Sequence, residues 1–276
     1  MWICNQWGWR WSMREGIDHI VILVRDLQNA TQIYQDLGFQ VTYGGEHPGI
    51  SHNALIPFQD GSYVELFALL RPEGFSGHRW SPLLETGAGL IDFALQVSDM
   101  DGTVDRIRAP GLPYEWLDGS RRRPDGELLA WRTAELANGV AGEMPFLIDD
   151  VTPRSKRVPS GDVARHPAGV TGIRGIVIAV QDLDQVAEAY AKLLGAIPPV
   201  IEIDEALGAE TMSYPIGGQQ IILARASGPE SPIAAYIQRR GNGPFQINLT
   251  ASSSTPASRI DAEQAAGVSI VIEPED

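Results

Sequence analysis

The chain is short of several things that would announce a function. A single cysteine, Cys4, excludes a disulfide framework or a thiolate metal cluster built within the chain, and it fits a reducing cytoplasm. Basic residues are outnumbered, 21 Lys and Arg against 35 Asp and Glu. The resulting formal charge of −14 opposes the counterion release that drives nucleic-acid binding. The one basic run, Arg121-Arg122-Arg123, stands in a Gly/Pro/Asp-rich stretch that reads as a loop and not as a basic face. No apolar run approaches the roughly 20 residues of a membrane span. Neither nucleic acid nor a membrane is therefore expected as a partner. Residues 1–13 carry Trp2, Trp7, Trp9 and Trp11 but lack the charged and apolar regions of a secretory signal, and they read as an extension with Met13 as an alternative start.

What is present is an ordinary globular composition, 43% hydrophobic and 20% charged, over 276 residues. That length suggests two domains, at roughly 100–200 residues each. The chain also repeats itself. IDHIVILVRDL from Ile17 returns as IRGIVIAVQDL from Ile173, with Ile17, Ile20, Val21, Ile22, Val24, Asp26, Leu27 and Tyr34 matched by identical residues at a constant offset. Each copy opens on a Val/Ile-rich run without polar alternation, the pattern of a strand buried on both faces. A helix follows. Asp26 is placed to cap the first, whose Ala30, Ile33, Tyr34 and Leu37 form one apolar stripe before Gly38; Asp182, Val186, Ala189, Tyr190 and Leu193 repeat the pattern up to Gly195.

Three strand-like runs come after the first helix, at 39–43, 53–58 and 62–70, so the order is β-α-β-β-β. A weaker second unit opens with LIDFALQVSDM at Leu90 and continues through strand candidates at 113–117, 127–135 and 143–148. The Pro/Gly-rich segment 151–169 reads as a linker between a half at 14–150 and a half at 170–276. The third unit has strands near 200–203, 211–216 and 219–224. A fourth begins at Phe245, with a helix expected over 256–266 and one strand at 268–272, and is truncated. The fold class is thus α+β, tandem βαβββ modules forming curved mixed sheets.

IDHIVILVRDL, HPGISHNALIPF and SYVELFALL together resemble the vicinal oxygen chelate superfamily, in particular its glyoxalase-like branch, and the resemblance covers nearly all of the chain after Met13. It implies paired modules curling an eight-stranded sheet into a cup around a divalent metal. Ligands are implied at the first and fourth strands of each module, here His19 and Glu65. Strand alternation puts His19 on the face of Val21 and Leu23, and Glu65 on the face of Tyr63 and Phe67. The other modules depart from the pattern. Asp92 and Gly175 stand where His19 stands, and residues near Pro145 and Phe146, and Ile222, where Glu65 stands. Four ligands cannot be assembled from the repeat positions. A metal (Fe, Mn, Zn or Ni) would need a third ligand, with His52 the first candidate and His47 and Asp92 the alternatives; a metal-free site is the other reading.

His19, Glu65 and His52 are accordingly the candidate catalytic or metal-holding residues. His47, Asn53, Tyr63, Phe67, Trp131 and Arg132 are candidates for substrate binding, with Trp116 on the same wall, while His78 and His166 read as surface loop residues. The expected function is a small-molecule enzyme of lyase or isomerase type acting on a carbonyl-bearing or aromatic substrate in the N-terminal cup. A metal-free binding or resistance protein and an Fe(II)-dependent ring-cleaving dioxygenase are the alternatives. A homodimer is left open.

Overall fold

The computed structural model describes residues 16–71, Trp80 and residues 83–275, so Cys4, Met13, the N-terminal tryptophans and His78 lie outside the described residues. The first half runs β1 (Ile17–Leu23), α1 (Leu27–Asp36), β2 (Thr42–His47), β3 (Ser51–Pro57), β4 (Tyr63–Leu69), α2 (Leu83–Thr86), β5 (Gly89–Gln96), α3 (Met100–Arg108), β6 (Tyr114–Arg122), β7 (Leu128–Leu136) and β8 (Phe146–Asp150). Helix α4 (Arg154–Arg157) follows. The second half is β9 (Val170–Ala179), α5 (Leu183–Leu194), β10 (Glu202–Asp204), β11 (Ala209–Ile216), β12 (Gln219–Ala226), α6 (Pro232–Arg240), β13 (Gly243–Ala251), β14 (Ser258–Ile260) and β15 (Ser269–Pro274).

The capping signals act as the sequence suggested. Asp26 accepts from the Asn29 amide at the start of α1, Asp182 from the Gln185 amide at the start of α5, and Gly195 ends α5 in the left-handed conformation at φ 62°. Strand β1 is buried along its whole length. Its even-numbered residues Ile20 and Ile22 join a large core outside the sheet, while Val21 and Leu23 join a smaller cluster inside it.

The first two modules close completely. Their strands form the expected eight-stranded cup, closed into a barrel in the order β1-β4-β3-β2-β6-β7-β8-β5. The seam is narrow, a single residue pair between β2 and β6, Glu46 with Arg122. Gly45 makes it accessible: at its φ of +133° a Cβ would sit 2.0 Å from the Arg122 carbonyl oxygen. The second half instead forms an open seven-stranded sheet, β10-β11-β12-β9-β13-β15-β14, whose edge strands β10 and β14 have three residues each. One apolar core joins the halves, with Ile20, Ile22, Phe93 and Leu95 of the barrel exterior in the same cluster as Ile247, Leu249 and Ile270 of the sheet.

One expectation fails in the last module, and one helix before it was not foreseen. No helix forms over 256–266: Ile260 pairs with Ile270 across β14 and β15, and turns closed by the Gln264 and Gly267 amides fill the remainder. Sheet pairing offers Ile260 more than one apolar stripe on a short helix would, so local pattern yields to tertiary context. Helix α6 was not anticipated, although its signal is in the sequence, Ser231 accepting from the Ile233 amide with Pro232 in the first turn. Among the described residues no helix is long and apolar enough to cross a membrane.

Candidate active site

The barrel encloses a cavity of about 430 Å³ that opens to solvent and is lined by His19, His47, Asn53, Tyr63, Glu65, Phe67, Trp80, Arg121, Trp131 and Phe146, among others. This volume suits a small organic ligand. Strands β1 and β4 run parallel with Val21 opposite Glu65, so the two side chains proposed from the repeat positions do converge. His19 Nε2 stands 3.5 Å from Glu65 Oε2, and both residues are largely buried.

The rear of His19 is fixed by its own neighbour. Asp18 is the extra residue of a bulge in β1, where Ile17 and His19 face the consecutive residues Leu95 and Ala94 of β5. The bulge lets Asp18 Oδ1 accept from His19 Nδ1 at 2.6 Å. Burial alone would raise the Asp18 carboxyl, but Arg157 and the hydrogen bond from His19 more than offset it and hold it well below the usual carboxylate range. Nδ1 therefore carries a proton in either charge state of the ring, and Nε2 is the nitrogen offered to the cavity. Tyr63 stacks on the imidazole, with centroids 4.6 Å apart and planes 12° apart.

Arg157 holds this arrangement from behind. It is 2% exposed, donates to both Asp18 oxygens at 3.0 and 2.9 Å and to Tyr63 Oη at 2.7 Å, and forms a second two-armed pair with Asp150. Arg154 also bonds Asp18. Both arginines come from α4, inside the segment read as a linker. Helix α4 within segment 151–169 is thus tied to the barrel through Asp18, Tyr63 and Asp150. A cation needed by a buried carboxylate outweighs the Pro/Gly composition around it.

On the other flank, Asn53 Nδ2 donates to Glu65 Oε1 at 2.6 Å, and Asn53 Oδ1 accepts from Arg121 Nη1 at 3.2 Å. Gly44 leaves room for this pair, since a Cβ there would fall 2.3 Å from Asn53 Oδ1 and 2.6 Å from Arg121 Nη1. His47 lines the mouth, its Nδ1 2.9 Å from Ser51 Oγ. Desolvation pushes its imidazole down to about 4, against the pull of Glu65 and helped by Arg121, so at neutral pH it is uncharged.

Several candidates fall elsewhere. His52 is not in the cavity: on β3 it alternates with the inward Ser51 and Asn53, and its ring sits 6.3 Å from Tyr43 on the outside. Arg132 points outward for the same reason, since Trp131 takes the inward position. It pairs with Asp101 at 2.7 Å and lies 4.2 Å over Trp116, itself 43% exposed. The arginines that line the cavity are Arg121 and Arg157, and Arg121, from the run read as a loop, lies in β6. Asp92 is engaged by Trp80 Nε1 at 2.6 Å and by the Phe93 amide. His166 is buried, not a surface residue; it accepts from the Gln40 amide at 2.8 Å and donates to the Pro57 carbonyl at 2.9 Å.

The donor set of the described residues does not fit a divalent metal. Among the described residues no three His, Cys, Asp or Glu side chains are grouped to hold an ion. His19 and Glu65 supply two donors; at the matching second-module positions Asp92 is engaged by Trp80 Nε1 and the Phe93 amide, and Phe146 is hydrocarbon.

The model of a family described as a glyoxalase-like domain matches residues 17–194. In structure, the chain is similar to a hypothetical protein from Staphylococcus aureus, with 13% identity and a TM-score of 0.69 over 94% of this chain and 99% of that one. It is also similar to a mutant 4-hydroxymandelate synthase from Streptomyces coelicolor, at 15% identity and TM-score 0.62, covering 87% and 71% of the two chains. A third similarity is to a xylose isomerase-like TIM barrel/4-hydroxyphenylpyruvate dioxygenase fusion protein, at 17% identity and TM-score 0.56, covering 89% of this chain and 37% of that one. At these identities the likeness is one of fold. No curated protein matches the chain in sequence.

Proposed function

The chain belongs to the glyoxalase-like domain family, and from that premise we propose that the barrel is the active site of a lyase- or isomerase-type enzyme that moves a proton on a carbon next to a carbonyl, with His19 and Glu65 as the acid-base pair. The observation that carries this reading is the approach of His19 Nε2 to Glu65 Oε2 at 3.5 Å inside an open cavity, with the imidazole oriented from behind by Asp18. One of the two takes the proton from carbon while the other protonates the enolate oxygen; the enol then returns that proton and is reprotonated at carbon by the first group after it has exchanged with water, which restores both groups. Phe67, Trp80, Trp131 and Phe146 give the reacting centre an apolar surround, in which such transfers are less levelled by water than at an open surface. Asn53 holds Glu65 in place through Oε1 and leaves Oε2 for chemistry. The partner is a diffusible small molecule and the proposed setting is the cytoplasm, in keeping with one cysteine in the chain.

Deuterium exchange tests the reading. Small ketones, 2-oxo acids and hydroxy acids are incubated with the protein in heavy water, and loss of the proton next to the carbonyl is followed by NMR. Wild type should exchange at least one class, and E65Q and H19Q should each lose about 100-fold or more, the usual contribution of a positioned acid or base. Binding without exchange in any class would overturn catalysis. It would favour a sequestering protein, a reading supported by the hydrocarbon at Phe146, where a second carboxylate matching Glu65 would stand.

A further inference from the structure

Arg121 is a buried cation whose hydrogen bonds leave it incomplete. It is 3% exposed, it lines the cavity, and its Nε is the buried side-chain polar atom among the described residues that meets no hydrogen-bond partner. Its two observed acceptors are neutral, Asn53 Oδ1 at 3.2 Å and the Arg157 backbone carbonyl at 3.0 Å. The nearby carboxylates are committed elsewhere. Asp18 and Asp150 are held by Arg157, and Glu65 is separated from Arg121 by the Asn53 amide. The acidic Glu135 also lines the cavity but stands opposite Glu115, six residues along β6 and so roughly 20 Å by strand rise. A guanidinium taken out of water with neutral partners alone is costly, and an anion on its open edge restores the balance.

We propose that Arg121 receives the carboxylate of the substrate, so that the enzyme acts on small organic acids with an aromatic or branched hydrocarbon body. The carboxylate accepts from the guanidinium, and the body lies against Phe67, Trp80 and Trp131. Asn53 bridges Arg121 to Glu65, so an acid held on Arg121 has its neighbouring carbons beside the His19 and Glu65 pair. Naming this acid as substrate rests on the proton-transfer reading; the anion site itself does not.

Phenylacetate and phenylacetamide share a ring and a methylene and differ in charge, so titrating each into the full chain at low salt, followed by tryptophan fluorescence and NMR, isolates the carboxylate. Wild type should bind the acid at least tenfold more tightly than the amide. R121M should lose that preference, R121K should keep part of it, and E65Q should keep or raise it because one nearby negative charge is gone. Equal binding of the two probes by wild type, binding of neither at millimolar concentration, or an unchanged preference in R121M overturns the proposal. The wild-type comparison stands even if R121M fails to fold. Proton exchange on neutral ketones with no preference for acids would sink the anion site and leave proton transfer intact, whereas Arg121-dependent binding of acids without exchange would do the reverse.

Discussion

The barrel and the open sheet are two uses of one strand plan. Strands β4-β1-β5-β8 of the barrel correspond in order to β12-β9-β13-β15 of the sheet, and the register is shared, with Val21 opposite Glu65 in one and Val177 opposite Ile222 in the other. The faces have diverged completely. Where the barrel offers His19 and Glu65 to an open cavity, the sheet offers Gly175 and Ile222, and α6 lays Ile233 and Tyr236 over the surface among Val177, Ala179 and Ala224. The loss at Gly175 is built into the backbone, because a Cβ there would stand 2.4 Å from the Gln220 carbonyl oxygen. A repeated scaffold therefore supplies positions, and chemistry needs both polar groups at those positions and a space left empty in front of them.

The most severe way to break the barrel side of this comparison is to remove the cation beneath it. In R157M the fully buried Asp18 keeps only Arg154 and His19 for company, and Asp150 loses its two-armed partner. Breaking a buried pair from one side costs about 3–5 kcal/mol. A urea or thermal unfolding midpoint should drop accordingly, and a midpoint unchanged from wild type would mean that the pair contributes little. The matching experiment on the sheet is I233A. Ile233 is fully buried under α6, and its truncation should cost about 2–5 kcal/mol through lost transfer and a residual cavity. Because α6 covers a face with no proton-handling groups, the folded fraction of I233A should retain full exchange activity. A loss of activity there would show that the two faces are coupled.

A smaller effect separates the halves by pH. All five histidines precede β9, so any imidazole contribution belongs to the barrel half and its connection. Burial lowers His47 to about 4 and lowers His166 as well. An unfolded histidine titrates near 6.5, so below that pH the unfolded chain binds more protons than the folded one. The stabilisation is fully present above about 6.5 and is lost progressively as pH falls towards the depressed folded values. For His166 burial is the cause, against the hydrogen bond to the Pro57 carbonyl, and a proton on Nδ1 would in addition leave the Gln40 amide without its acceptor. Unfolding midpoints measured from pH 7 to 5 should fall more steeply for wild type than for a doubly substituted H47N, H166N protein. Parallel curves would count against both histidines.

How much of this was legible in the sequence follows from the physics of each element. The repeat exposed the module plan, and the family resemblance pointed to His19 and Glu65 as the ligand positions of the first and fourth strands. Asp18 was missed because strict alternation sends it away from His19, and only the bulge brings both to one side. Arg157 and Arg121 were hidden by composition, one in a Pro/Gly-rich connection and one in a basic run, since burial of a cation depends on partners distant in sequence. Barrel closure was also out of reach, as it turns on one residue pair and the close approach at Gly45. His52 and Arg132 were the reverse case. Alternation alone separates His52 from Asn53 and Arg132 from Trp131, so neighbours on one strand could not both have faced the cavity.

That same rule yields the smallest expected effect. H52A removes a ring that touches Tyr43 on the barrel exterior, and R132M removes an exposed pair with Asp101 and a contact over Trp116. Neither side chain reaches the cavity, and an exposed ion pair contributes little to folding. Exchange rate, preference for phenylacetate over its amide and unfolding midpoint should all match wild type in both variants. A selective loss of exchange in H52A would require β3 to turn over in solution, carrying Asn53 out as it carried His52 in. Since Asn53 bridges Glu65 and Arg121, that one variant's activity checks the strand orientation on which the whole arrangement inside the barrel depends.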